Sequence, residues 1–247
     1  MKITLEWLKE KKACEEAILA FEEKYGTEVD YQDLLNALAN ADEPDWAEWL
    51  FKTAGSLDTV MRIDGDLKIE GHLFFAGKIE VSKNISIKRD IKAGGSIEAG
   101  GSIKAGGSIE AGGSIKAGGS IEAGGDIEAG GSIKAGGSIE AGGSIKAGGD
   151  IKAGGSIEAG GSIKVGGDIE AGGSIKAGGS IKPGGDIEAC GSIEAGGDYG
   201  IYAGLSIRIS LKQKYAVVIS KIKPKNLLLG EWNKPHLPSR RRSLWII

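Results

Sequence analysis

From Ile91 through Ile193 an isoleucine stands at every sixth position. With few departures, the residues between follow one template: Ser or Asp, Ile, Glu or Lys, Ala, Gly, Gly. Polar and apolar positions alternate for four residues and a glycine pair follows, which predicts a very short strand and then a corner. With a period of two, Ile97 and Ala99 face one side and Ser96 and Glu98 the other. The glycine pair is expected to supply backbone conformations that a residue with a Cβ resists. The phase runs backwards through Ile85, Ile79, Leu73 and Leu67 to Met61, and forwards to Tyr199 and Leu205, so the periodic region covers about residues 61 to 206.

One isoleucine and one alanine bury too little to offset the ordering of six residues, so neighbouring units must stack into a solenoid. Three six-residue faces give a triangular parallel β-helix of about 18 residues per coil; a flat two-sided coil of 12 is the alternative. At a strand spacing of about 4.8 Å the triangular form makes about eight coils and a rod about 40 Å long. In the central repeats the second inward position is alanine. Near the start it is Ile63, Ile69, Phe75, Val81 and Ile87, and near the end Ile201 and Ile207, so the core is expected to widen towards capping structures.

The N-terminal flank reads as three short helices. The first follows Thr4 and carries Leu5, Leu8, Ala17, Ile18 and Phe21 to a stop at Gly26. The second opens at Asp30 with Leu34, Leu35 and Leu38. The third starts at Pro44 with Trp46, Trp49 and Leu50 and stops near Gly55. After residue 206, Ile207, Ile209 and Leu211, then Tyr215, Val217 and Ile219, alternate as further strands. The chain thus divides into a helical bundle (1–57), a β-solenoid (58–206) and basic C-terminal strands with a tail (207–247), a mainly β protein with an α-helical N-terminal cap.

Composition narrows the chemistry. Glycine numbers 43 of 247 residues and proline 5, which fits neither collagen nor a proline-rich linker. Cys14 and Cys190 lie in unlike contexts and are expected to be free thiols in a cytoplasmic protein. No apolar run has the length of a membrane span and the N-terminus carries no apolar signal region, so no membrane association is expected. Two cysteines and two histidines supply no metal cage, and no metal or cofactor is expected. His72, on an outward repeat position, and His236 read as exposed surface histidines. The many serines and charged residues copy one surface template, so no catalytic residue is singled out and an enzyme is not expected.

Charge is distributed unevenly. Residues 1–60 carry 6 Lys/Arg against 14 Asp/Glu, whereas residues 207–247 carry 10 Lys/Arg against the single acid Glu231. This polarity bears on partners and self-association. From Lys92 to Glu194 the outward charges mostly alternate in sign along the chain, but residues eighteen apart form seven opposite and eight like pairs. The stacked columns are therefore not arranged for pairing. They form blocks such as Lys116, Lys134, Lys152 and Glu122, Glu140, Glu158, and Asp150, Asp168 and Asp186 share a column. A solvated mixed-charge surface accounts for this as well as a recognition surface does. In the tail, Lys234, Arg240, Arg241 and Arg242 with Trp245 are the candidate partner-binding residues, suited to nucleic-acid phosphates or to an acidic protein.

The Gly-x-Ile-x-Ala units resemble those of bactofilins, polymer-forming β-helical cytoskeletal proteins. They also share triangular geometry with hexapeptide acyltransferases, from whose pattern the glycine four positions after the aliphatic residue departs. The helical segment, with Ala13-Cys14 and Pro44-Asp45-Trp46-Ala47-Glu48-Trp49-Leu50, is similar to small N-terminal modules of phage and prophage proteins. That likeness implies a phage-encoded inhibitor of a host defence system such as CRISPR, acting on a host protein or complex. The expected function is thus a non-enzymatic protein-binding solenoid that is a homo-oligomer, with a dimer favoured. The alternatives are a structural polymer and nucleic-acid binding through the basic end.

Overall fold

The computed structural model describes residues 1–196, 200–201, 207–209, 217–219 and 231–233. Each three-residue strand of the repeat pairs in parallel with the strand eighteen residues further on: Ile97 lies beside Ile115, then Ile133, then Ile151. The coil is therefore triangular, with about 18 residues in each of about eight turns. Its three sheets are named here by their first strands. Among the described residues face 1 has nine strands from Val60–Ile63, face 2 ten from Leu67–Ile69, and face 3 seven from Leu73–Phe75.

The isoleucines of the regular units are completely buried and the alanines nearly so. Burying one isoleucine contributes about 1.5–3 kcal/mol, while fixing six backbones costs about 1 kcal/mol or more each. A unit is stable only when its neighbours also satisfy its backbone. They do so in a constant pattern: the Ile115 amide donates to Ser132 O (3.0 Å), and the Gly130 and Gly131 amides donate to Ala111 O and Gly113 O (both 2.9 Å).

The Ser/Asp position adds a second ladder. Ser114 N–H donates to Ser96 Oγ at 3.0 Å, and Ser132 N–H to Ser114 Oγ at 3.1 Å. Aspartate serves equally, since Asp168 N–H donates to Asp150 Oδ1 and Asp186 N–H to Asp168 Oδ1. The aspartate column is thus stabilised by backbone donors between its carboxylates.

The repeat glycines have a different cause from the one expected. Among the described glycines only Gly26, Gly55 and Gly65 have positive φ. In the repeat the constraint is the closeness of the coils. A Cβ on Gly130 would sit 2.2 Å from Gly112 O, and one on Gly131 2.4 Å from Ser114 Oγ.

The N-terminal module contains four helices, α1 (Leu5–Glu10), α2 (Glu15–Tyr25), α3 (Tyr31–Asn40) and α4 (Pro44–Ala54), and a small antiparallel pair, Lys2–Thr4 with Glu28–Asp30. The expected first helix is broken in two, because the chain turns at Lys12 with φ of 58°. Thr4 and Asp30 cap α1 and α3 through their side chains, and Pro44 opens α4. The Tyr31 hydroxyl donates to Gly55 O (3.2 Å), tying α3 to the end of α4, and burial pushes its pKa up to about 12.

At the other end the strands Ile207–Ile209, Val217–Ile219 and Glu231–Asn233 extend faces 1 and 2 in parallel. The phase changes here. Ile201 bridges to Ile181 and Ile207 pairs with Ile187, a spacing of twenty, so both isoleucines take the first inward position and not the second. Two extra residues enter between Ala195 and Ile201, and the branched side chains still turn inward. Tyr199 and Leu205 lie outside the described residues.

Candidate binding surface

The helical module docks on the outer side of the first strand of face 3. Phe74 occupies an outward repeat position yet is 1% exposed, packed with Ala76 into the core of the helices. In α3, Gln32 hydrogen-bonds the backbone of that strand. The inward residues Met61, Ile63, Leu67 and Ile69 of the first coil remain half-buried, so the module lies beside the rod's end and does not cover it.

His72 corrects the expectation of an exposed histidine. It is buried, stacked near Phe74, with Nε2 2.9 Å from Asp42 Oδ1. Its Nδ1 stands where serine hydroxyls stand elsewhere, 3.3 Å from the Asp90 amide and 3.1 Å from Asp90 Oδ2, so the ring lies between two carboxylates. The His72 hydrogen bond, and then that of Arg89, hold the Asp42 carboxyl below its ordinary range.

Lys92 is the second charged contact. It is buried between Glu48 of α4 (3.1 Å) and Glu110 of face 3 (3.4 Å). Hydrogen bonds from Lys52 and Lys92 lower the Glu48 pKa. Desolvation raises that of Glu110 against the pull of Lys92. Docking thus rests on a buried aromatic ring flanked by two ionic clusters. The signal for it is Leu73-Phe74-Phe75, where an apolar residue replaces the outward charge.

The docked helices enclose a groove of about 550 Å³, lined mainly by Leu8, Phe21, Tyr25, Leu38, Trp46 and Trp49. Both tryptophans are half-buried, and Lys12, Lys24 and Glu43 stand at its margin. Cys14 also lines the groove; it and Cys190 are free thiols. Sequence reasoning placed these side chains on helices but did not join them into one concavity, because that depends on how α1 and α2 fold back.

On the rod, the predicted blocks are real columns. Lys116, Lys134 and Lys152 are in register on face 1, and Glu122, Glu140 and Glu158 on face 2, where a shallow trough of about 820 Å³ runs along the glutamates. Lys234, Arg240, Arg241, Arg242 and Trp245 lie outside the described residues. Among the described residues no three His, Cys, Asp or Glu side chains are placed to hold a metal ion, and no helix is long and apolar enough to cross a membrane.

The fold defines a repeat protein of the parallel β-solenoid class. A protein family described as haemagglutinin repeat matches residues 80–198, the regular part of the rod, to which this segment is similar. No curated protein and no solved structure matches the chain.

Proposed function

We propose that this chain is a non-enzymatic binding protein whose rod carries a helical module, and that the module's groove takes an apolar segment of a partner protein. The observation that carries this reading is the aromatic groove of about 550 Å³ on a module fixed to the rod by Phe74, His72 and Lys92. Half-buried tryptophans in a concave site are the usual anchors of protein recognition. The finer reading is a phage-encoded inhibitor of a bacterial defence system of the CRISPR kind. Its support is the likeness of the helical segment to phage modules. The similarity to a haemagglutinin repeat concerns the rod alone.

The test is to express the intact chain in a bacterium with an active CRISPR system and count plaques of a targeted phage. Restored plaques with the wild-type chain, lost with the Trp46→Ala/Trp49→Ala variant, support the inhibitor reading. Unchanged plaque numbers in every case overturn it. End-to-end polymer growth is the weaker alternative. It is favoured by the opposite charges of the two termini and by the half-buried first coil, and disfavoured because Gln32 occupies the strand edge at Phe74 and Ala76.

A further inference from the structure

Faces 1 and 2 carry matching charge patterns. Along face 1 the register reads Glu98, then Lys116, Lys134 and Lys152, then Glu170. Along face 2 it reads Lys104, then Glu122, Glu140 and Glu158, then Lys176. Rung for rung, the two patterns are opposite in sign at all five positions. A slip of one rung sets Glu98 against Glu122 and Lys152 against Lys176, so the match fixes a register.

Stacking like charges on neighbouring strands is unfavourable for the isolated rod. It also leaves charges unused. Only one outer member of each block is paired, Lys152 with Glu170 and Glu122 with Lys104. Lys116, Lys134, Glu140 and Glu158 are exposed and form no ion pair among the described residues. An alternating column would have consumed these charges within the chain.

A partner that meets five rungs at once must repeat at the same strand spacing of about 4.8 Å. An identical rod does. We infer that copies of this chain associate side by side, face 1 of one against face 2 of the next, with the lysine block of the first over the glutamate trough of the second. The contact joins two different surfaces, so it is heterologous and can continue laterally from rod to rod. Both patterns read the same from either end, so parallel and antiparallel neighbours match equally. This assembly is independent of the groove on the helical module.

Each pair is exposed and screened, so association should weaken as salt rises. The experiment is sedimentation equilibrium of the full chain over a concentration series, at about 20 mM and about 300 mM salt. Three variants are compared with it: Lys116→Glu/Lys134→Glu/Lys152→Glu, Glu122→Lys/Glu140→Lys/Glu158→Lys, and the two sets combined. Each reversal also turns one exposed flanking ion pair, Lys152 with Glu170 or Glu122 with Lys104, into a like pair, so thermal midpoints are measured alongside and should fall only by the small worth of exposed charge pairs.

The wild-type chain should associate at low salt and dissociate at high salt. Each three-residue variant should associate about tenfold or more weakly. The combined variant, with the wild-type net charge and both blocks reversed, should recover. A monomeric wild type at every concentration overturns the inference. So does an assembly that the block reversals leave unchanged, or one that the combined variant fails to restore.

Discussion

Gln32 holds the backbone of Phe74 from the side on which the preceding coil would lie. Its Nε2 donates to Phe74 O at 2.8 Å, and its Oε1 accepts the Ala76 amide at 2.9 Å. One carboxamide thus supplies the donor and the acceptor that a neighbouring strand supplies elsewhere, while the Leu57 amide takes Ala76 O at 2.8 Å. An open strand edge invites pairing with another chain, and here a helix closes it.

Replacing Gln32 with leucine keeps the bulk and removes both partners from buried backbone groups. Leaving such groups unpaired costs about 1–3 kcal/mol each. The Ala76 amide should lose hydrogen-exchange protection by one to two orders of magnitude, about what that cost implies, while amides beyond Ile91 keep theirs.

Phe74→Lys restores the outward charge of the repeat and places it beneath the helices. Removing a buried phenylalanine costs about 3–5 kcal/mol, here charged to the docking of the module. Limited proteolysis should then cut between Ala54 and Val60 and release the helices, leaving the coils from Ile79 onward resistant. Equal resistance of both parts would show that the module docks by other means.

The two glycines of a repeat should differ in sensitivity. At Gly130 an added Cβ meets a backbone oxygen, whereas at Gly131 it meets the Ser114 hydroxyl, which can turn aside at the cost of its bond from the Ser132 amide. Gly130→Ala should therefore lower the melting midpoint more than Gly131→Ala, with overpacking costs of about 1–3 kcal/mol. Ser114→Gly should rescue the second variant alone.

Acid should loosen the junction. Asp42 and Glu48 have pKa values lowered in the folded protein from 3.8 and 4.5. Their contribution is complete above those ordinary values and is lost as pH falls through the lowered ones. Glu110 has the opposite shift, so its protonation opposes that loss slightly. Tryptophan emission from Trp46 and Trp49 should change as pH drops below about 4, and far-ultraviolet dichroism of the rod should persist. In Asp42→Asn the change should begin from a weaker junction.

The rod is legible because each position of its repeat has one physical role, repeated until chance is excluded. Ile97, Ile115 and Ile133 announce both the strand and its inward side, and eighteen residues per coil follows from three such faces. Where the template fails, the sequence says that something packs but not what. His72 looks exposed by phase alone, because the Asp42 that bonds it and the helices packed on the neighbouring Phe74 come from a segment with a different period. The turn at Lys12 is hidden for a related reason: the residues on both sides of it suit a helix, and the break is imposed by folding α1 against α2. The role of Gly130 is hidden because a close approach between coils and a positive φ leave the same residue in the sequence.

The repeat of six and the ladder of eighteen together make length and orientation separate variables. Inserting three units lengthens the rod by one rung and returns every later residue to its former side. Inserting one unit turns the remainder by a third of a revolution, so the interior survives while Lys134 and all that follows it appear on another face. A gain or loss of single units therefore re-clocks the surface without touching the core, and one helix can carry many distinct arrangements of charge at almost the same folding free energy.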